Sequence, residues 1–416
     1  MDNKPSKFFA YIAMASGALL CLVGLTNFTG IFGALWSGGL TEILQYQLGS
    51  AAVSYLGIII GPLALVHGYN SLAGNRSNIL KFPPFYFGWI VFAVVLGLGS
   101  SLLNFNILTG FLFPIVFVLG AALPSLVVLA WVYRKLAWPL TWRQTALAFI
   151  AGSTISVALA IFLETVLPYL AFLLIAPLQE FAYGFASLGW GTSGMIERLF
   201  ASPFIIVFMI ATALEAPIPD EFAKVLGLPM FGRGRIKTEQ QAFAIGLACG
   251  AGFAVLENML YEGLYAQANG WTWGGVTLLR GFGAVLHPLC SGLVALGWYR
   301  MKEQGTIKLF KAYLTSVGLH TLWNGGFQPL LYLTGLEAFG ESNISIYGES
   351  LGLLLVIYLV LLSAGLWVLL RRMVNSLSVG VEIDLTVGLQ TRRAMAAWAL
   401  VSVLVIVILG AALNLH

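Results

Sequence analysis

Long apolar segments recur along the whole chain and limit its fold more than any other feature. Charged residues make up only 9% of the sequence, and hydrophobic residues make up 59%. A segment of about 20 apolar residues matches a helix that crosses a hydrocarbon core of roughly 30 Å, whereas the ten-residue alternation of an outer-membrane barrel is not evident. The sequence therefore predicts an all-α, polytopic membrane protein, because a mean hydropathy of +0.90 lies outside the range of soluble domains.

The segments predict about eleven transmembrane helices. They are placed at residues 8–32, 51–71, 85–104, 107–133, 145–175, 200–224, 240–263, 278–299, 309–334, 350–370 and 395–415. If the N-terminus is cytoplasmic, all but three of the 21 Lys and Arg residues fall on the cytoplasmic side, the exceptions being Arg198, Lys224 and Arg280. This distribution follows the positive-inside rule, so we expect a cytoplasmic N-terminus and an external C-terminus.

Polar and ionisable residues are concentrated in one part of the chain, between residues 215 and 324. A charge near mid-membrane costs about 2.5 to 3.5 kcal/mol on insertion scales, so such residues are usually kept for chemistry or transport. The members of this group are Asp220, Glu221, Lys224, Glu257, Asn258, Arg280, His287, His320 and Asn324.

A proline pair precedes the first carboxylates of this group. Pro217 and Pro219 each remove a backbone donor, so the span that begins near residue 204 should break at this point. A break within the membrane would hold Asp220 and Glu221 in a hydrated pocket, and a renewed helix would place Glu221 and Lys224 on one face. The alternative is a helix that ends at the cytoplasmic surface with both carboxylates in solvent.

The next span carries a carboxylate deep in apolar sequence. Thr238 fits a helix cap, and Gly246 and Gly250 form a face of small residues that allows close helix contact. Phe253 and Glu257 are four residues apart and project from the same side. Glu257 is therefore a candidate functional residue, although a structural glutamate bonded to a neighbouring helix would have the same pattern.

Two of the four histidines lie in the two spans that follow. Arg280 and His287 are seven residues apart and are predicted on one face of a continuous helix, and His320 and Asn324 are four apart. Imidazoles and carboxylates from neighbouring helices can form a metal site or an acid–base set, since both supply ligands to zinc. A structural hydrogen-bonding role for each histidine is the alternative.

Four features outside this region have simpler interpretations. We interpret His67 as an interfacial histidine and Glu164 as a helix-kink partner or interfacial carboxylate. The aromatic, glycine-rich segment 178–196 is predicted to lie in the outer interface, where Trp and Tyr are favoured. Residues 378–387 alternate weakly and could form a small hairpin.

The order of motifs between residues 215 and 326 resembles the PrsW family of intramembrane proteases, which is distantly related to the CAAX prenyl endopeptidases. The motifs are APIPDEFAKVLG, GLACGAGFAVLEN, the span with Arg280 and His287, and HTLWN. The resemblance implies an active set of Glu221, Glu257, His287 and His320, with Asn324 in support. The family usually has two glutamates before the lysine. In this chain an aspartate, Asp220, occupies the first of these two positions, so the resemblance implies its role less directly than that of Glu221.

The apolar spans and the resemblance together divide the chain into three regions, and the resemblance implies its partners. Residues 1–199 would form a five-helix membrane region, 200–335 the PrsW-like catalytic core, and 336–416 a two-helix region with a cytoplasmic connector at 372–394. We expect a membrane-anchored protein substrate, a lipid environment in a bacterial or archaeal cytoplasmic membrane, and no nucleic-acid partner.

Two versions of the chemistry are open from the sequence. In one, Glu221 activates water while Glu257, His287 and His320 hold a Zn2+-like ion. In the other, the same groups form a metal-free, glutamate-based acid–base set. Asn324 would donate to the oxyanion in either case. The function alternatives are a non-proteolytic scaffold of the same fold and an ion-coupled transporter.

Overall fold

A computed structural model defines the architecture of most of the apolar spans. It describes residues 11, 14–15, 17–26, 57–70, 72–75, 77, 81–102, 106–137, 139–175, 204–226, 236–266, 270–326 and 345–377. Every regular element in these ranges is a helix, and no strand occurs among them. The predicted all-α class is therefore confirmed for this part of the chain.

The helices are numbered here in chain order. They are α1 (Gly17–Thr26), α2 (57–70), α3 (Phe85–Leu102), α4 (Asn106–Lys135), α5 (Trp142–Ala151), α6 (Val157–Ile175), α7 (Phe204–Glu215), α8 (Pro217–Ala223), α9 (Glu239–Ala266), α10 (Gly270–Phe282), α11 (Leu286–Gln304), α12 (Ile307–Gly325) and α13 (Ser345–Leu377). A π-helical segment, Gly152–Ser156, joins α5 to α6, and a 3₁₀ turn, Gly283–Val285, joins α10 to α11.

Six helical segments within the described ranges are long and apolar enough to cross a membrane. They are Phe85–Leu102, Ile115–Lys135, Trp142–Val166, Glu239–Gly263, Gly270–Gln304 and Leu353–Leu377. The total of eleven spans, the orientation and the domain boundaries stay predictions. The predicted last span at 395–415, the interfacial segment 178–196 and the hairpin at 378–387 lie outside the described residues.

Helix α9 lies at the centre of the bundle, against α4, α5, α10 and α11. Glycines allow this close packing, because a Cβ atom at Gly246 would lie 2.4 Å from the carbonyl oxygen of Ser291, and one at Gly250 would lie 2.2 Å from that of His287. On another side of α9, a Cβ atom at Gly252 would lie 2.0 Å from the Phe149 carbonyl oxygen. The predicted small-residue face is therefore confirmed, and it brings the backbone of α11 directly onto α9.

The chain breaks at the proline pair as predicted. Helix α7 ends at Glu215, Ala216 forms a turn, and α8 begins at Pro217. Helix α8 packs against α6, α7 and α12. The solvent-exposed alternative is wrong, because Asp220 is 2% exposed and Glu221 is 0% exposed.

The span with Arg280 and His287 is not one continuous α-helix. Arg280 lies near the end of α10 and His287 near the start of α11, with the 3₁₀ turn between them. The two side chains still lie on a common side, as the seven-residue spacing predicted, because Arg280 Nη2 and His287 Nε2 both lie within 2.8 Å of Glu257 Oε2.

Candidate active site

Helix α8 and Lys224, the residue that caps its C-terminus, supply three ionisable side chains, all of them buried. The Lys224 Nζ atom donates to Glu221 Oε1 at 2.7 Å and lies 3.5 Å from Asp220 Oδ2. Lys224 and Glu221 are 0% exposed. A buried ammonium group is strongly destabilising unless it is paired, so these carboxylates compensate the lysine charge within the bundle. The predicted shared face of Glu221 and Lys224 is confirmed.

His287 connects this cluster to α9. Its Nδ1 atom lies 2.9 Å from Lys224 Nζ, and its Nε2 atom lies 2.8 Å from Glu257 Oε2. An ammonium group can only donate, so Nδ1 must be the acceptor and Nε2 must carry the proton that bonds Glu257. This arrangement fixes the tautomer and directs the Nδ1 lone pair toward Glu221 and Lys224.

Glu257 is also held by α10, through the same carboxylate oxygen that lies against His287. Arg280 Nη2 donates to Glu257 Oε2 at 2.6 Å, and Arg280 Nε donates to Asn258 Oδ1 at 2.6 Å. Asn258 in turn donates to the Ala121 carbonyl oxygen on α4 at 3.0 Å. Charge-assisted bonds of this kind are short and strong, so Glu257 has a fixed position behind His287.

His320 completes the cluster from α12. Its Nδ1 atom lies 2.9 Å from Glu221 Oε1 and 3.9 Å from Asp220 Oδ2. The His320 and His287 rings meet edge to face with centroids 5.0 Å apart. Glu221, His287 and His320 each offer a ligand atom, and these atoms all lie within 4.8 Å of one another. We call these three residues the Glu–His–His group.

One oxygen atom of this group has no protein partner. Glu221 Oε2 is fully buried, and within the described part of the chain nothing donates a hydrogen bond to it. Buried polar atoms are nearly always satisfied, so an atom left without a partner marks a position for water or an ion. The arrangement is therefore a polar centre with an unused ligand atom, enclosed by apolar helices.

The structure brings five of the six predicted site residues into one hydrogen-bonded network. They are Asp220, Glu221, Glu257, His287 and His320. Asn324 follows His320 by about one turn of α12 and is half-buried, but its side chain makes no hydrogen bond to the described residues of the network.

The carboxylate of the Glu–His–His group is Glu221, while the set predicted to hold a metal contained Glu257. Glu257 contacts the Nε2 side of His287, away from this group. Sequence patterns could not separate the two glutamates, because both occupy apolar helices and both are within reach of a histidine.

Sequence reasoning placed Lys224 among the polar residues but gave it no role in the site. The Lys224 ammonium group stands at the middle of the network, 4.2 Å from the Phe253 ring centroid, which adds a cation–π contact. Glu164 is half-buried on α6, which packs against α8, and its interpretation as a helix-kink partner or interfacial carboxylate stays a prediction.

Comparison with known protein families agrees with this geometry. The family model described as PrsW family intramembrane metalloprotease matches residues 140–364, more than half of the chain, and this range contains every residue of the network. No curated protein and no solved structure shows significant similarity. With its buried Glu–His–His group inside the matched region, the chain belongs to the PrsW family of intramembrane metalloproteases.

Proposed function

We propose that this protein hydrolyses peptide bonds in membrane-anchored proteins at the Glu–His–His group. One observation carries the proposal: within a chain of this protease family, a carboxylate and two imidazoles converge in a buried site, and one carboxylate oxygen accepts no hydrogen bond from the described residues. Hydrolysis inside a bilayer needs polar groups that hold water in an apolar environment, and this centre supplies them.

The donor atoms fit a divalent metal such as zinc. One carboxylate oxygen and two imidazole nitrogens are a common catalytic zinc set, which leaves a fourth position for water or substrate. In a tetrahedral site with bonds of about 2.0 to 2.1 Å, neighbouring ligand atoms are about 3.4 Å apart. In the structure the three ligand atoms lie within 4.8 Å of one another. A small decrease in the distances between them would therefore let them bind one ion. A bound zinc ion would polarise the scissile carbonyl group and acidify a bound water molecule.

We assign the two central glutamates other roles than the sequence hypothesis gave them. Glu221 takes the ligand position, because its carboxylate belongs to the Glu–His–His group. Glu257 accepts the Nε2 proton of His287 and is fixed by Arg280, so it orients the imidazole and raises its basicity. Such outer partners of metal-binding histidines are typical of metalloenzymes.

Asp220 is the carboxylate available as a general base. Its Oδ2 atom faces Lys224 and His320, and its buried Oδ1 atom receives no N–H or hydroxyl donor within the described ranges. A positioned base of this kind accelerates hydrolysis by about 10² to 10⁴-fold. Asn324 keeps its predicted role as an oxyanion donor. The loss of such a donor costs about 2.7 to 4 kcal/mol in a measured analogue.

One observation favours a second candidate function, a non-proteolytic scaffold. Lys224 already contacts Glu221 and His287, so an internal ammonium group compensates much of the negative charge of the cluster without a metal. A site of this kind could be retained for folding specificity alone. The protease is preferred because the matching family is one of metalloproteases and a carboxylate and two imidazoles converge within the matched region.

The decisive experiment combines cleavage with metal analysis. Purified protein is mixed with a panel of tagged single-span membrane proteins, and wild type is compared with Glu221→Gln and His320→Asn. Matched controls are Glu262→Gln and His67→Asn, which alter a buried carboxylate and a buried histidine outside the network. We expect cleavage by wild type and both controls, and a loss of at least about 100-fold in the two site variants.

The metal content of the purified protein distinguishes a metal-dependent protease from a metal-free, glutamate-based one. Protein purified without added metal should contain about one zinc equivalent, lose cleavage with a chelator, and regain it with added zinc. Active protein free of metal would refute the metal assignment. Folded wild-type protein that cleaves no member of a broad panel would instead support the scaffold.

A further inference from the structure

The turn between α11 and α12 carries three exposed lysines that the proposed function does not use. They are Lys302 in the last turn of α11 and Lys308 and Lys311 near the start of α12. We call these three residues the basic corner. Within the described part of the chain, none of the three forms an ion pair. Segment 302–311 contains a single carboxylate, Glu303, so the basic corner has an excess of positive charge.

Close packing of α11 on α12 holds the three lysines at one end of the helix pair. A Cβ atom at Gly297 would lie 3.0 Å from the Lys308 carbonyl oxygen, so the two helices approach closely next to the turn. Gly305 has a φ of +83°, a conformation that suits glycine, and it lets the chain reverse between the end of α11 and the start of α12. Lys302 therefore faces the same end of the bundle as Lys308.

Aromatic rings indicate the depth of Lys302 in the bilayer. Its Nζ atom lies 4.9 Å from the Trp298 ring centroid and 5.6 Å from the Tyr299 ring centroid. Trp and Tyr are enriched at the boundary between membrane and water, where lipid headgroups lie. The cation–π contacts hold the ammonium group beside the rings, but its N–H groups make no hydrogen bond to the described residues. The basic corner thus lies at headgroup level with donors available.

Apolar side chains beside the lysines distinguish a lipid from a soluble anion. Ile307, Phe310 and Leu314 are 52%, 56% and 50% exposed. They lie three and seven residues apart along α12, so they share one face, and Lys311 lies next to it. A soluble anion or an acidic protein segment would contact the lysines and leave this apolar face uncovered. A phospholipid offers a phosphate to the lysines and acyl chains to the apolar side chains.

We propose that the basic corner binds the headgroup phosphate of an anionic phospholipid, whose acyl chains cover Ile307, Phe310 and Leu314. An anionic lipid such as phosphatidylglycerol fits the excess charge, whereas a zwitterionic lipid carries an ammonium group that the lysines repel. The corner joins the two helices that bear His287 and His320, so a bound lipid stabilises the helix pair that supplies both imidazoles. This lipid site does not depend on the proposed protease function.

Lipid binding by the full-length protein in detergent tests the proposal. Native mass spectrometry measures the affinity for phosphatidylglycerol of wild type and of two triple variants. The corner variant carries Lys302→Gln, Lys308→Gln and Lys311→Gln. The control variant removes three exposed basic residues at other helix ends, Lys135→Gln, Arg371→Gln and Arg372→Gln. A lysine near an anionic surface strengthens binding about fivefold, so the corner variant should bind about 100-fold more weakly than wild type. The control variant should bind nearly as wild type does.

Competing ligands identify the source of the phosphate. Phosphatidylcholine, inorganic phosphate and polyglutamate are each added to the wild-type complex with phosphatidylglycerol, and we expect none of them to displace the lipid. Displacement by inorganic phosphate would indicate a site for a free phosphate, and displacement by polyglutamate would indicate an acidic protein partner. Either result would overturn the lipid proposal. An equal loss of affinity in the two triple variants would overturn it as well, because general charge attraction would then account for the binding.

Thermal unfolding provides a second measurement that needs no cleavage assay. A ligand that binds only the folded protein raises its Tm. Added phosphatidylglycerol should raise the Tm of wild type and of the control variant, but not that of the corner variant. Without added lipid, all three proteins should have similar Tm values, because the substituted side chains are exposed. An equal rise of Tm in the corner variant contradicts the proposed site.

Discussion

A single added methyl group at Gly250 tests the helix contact on which the site depends. A Cβ atom there would lie 2.2 Å from the His287 carbonyl oxygen, and ordinary contact begins at 3.4 Å. Helix α11 must therefore retreat from α9 by about 1.2 Å at the residue that bridges Lys224 and Glu257, or Gly250 must shift by the same amount.

The change in stability caused by Gly250→Ala is the sum of two opposing contributions. Overpacking of a close contact costs about 1 to 3 kcal/mol, while replacing glycine by alanine within a helix contributes about 0.8 to 1.0 kcal/mol of stability. Gly318→Ala is the matched control, because a Cβ atom there meets nothing within 4 Å. Both variants gain the same contribution from the added alanine, so Gly250→Ala should be less stable than Gly318→Ala by the whole overpacking cost. A misplacement of about 1 Å can also lower the rate about 100-fold.

Two measurements test these effects. The Tm of thermal unfolding in detergent reports the loss of stability, and kcat on the tagged single-span membrane protein that wild type cleaves fastest reports the misplacement of the site. We expect Gly250→Ala to have a lower Tm and a much lower kcat than Gly318→Ala. The reasoning is refuted if the two variants have equal Tm and equal kcat, because α9 and α11 would then not approach as closely as the structure requires.

Two further substitutions probe the charges around the metal-binding atoms. Arg280→Gln should weaken zinc binding about 10- to 100-fold by isothermal calorimetry, because Glu257 loses its anchor behind His287. Arg300→Gln is the control, since its ion pair is about one-third exposed and surface pairs contribute about 0 to 1 kcal/mol. Lys224→Met should bind zinc more tightly than wild type, because the ammonium group no longer competes for the His287 nitrogen. Weaker binding by this variant would contradict that competition.

Much of the helical organisation could be predicted from local patterns. The break at Pro217 follows from the missing backbone donor, and the close packing at Gly250 follows from the missing side chain. The interruption between Arg280 and His287 could not be predicted in this way. The 3₁₀ turn lies in apolar sequence that also suits a continuous helix.

The candidate site was predicted as a set of residues but not as an arrangement. The cost of polar groups in apolar spans indicated a larger set, and the resemblance to the PrsW family reduced it to Glu221, Glu257, His287 and His320, with Asn324 in support. Their order around His287, with Glu221 toward Nδ1 and Glu257 bonded to Nε2, depends on how the helices are rotated against one another.

The sequence by itself determined that the chain is a helical membrane protein, where its polar residues are concentrated, and which family its motifs resemble. These properties follow from hydrophobicity and residue spacing along the chain, which are local. Only the tertiary structure decided which carboxylate joins the two histidines and that Lys224 stands at the centre of the network. Those contacts depend on the relative rotation and depth of separate helices, which are fixed by close packing between residues far apart in the sequence.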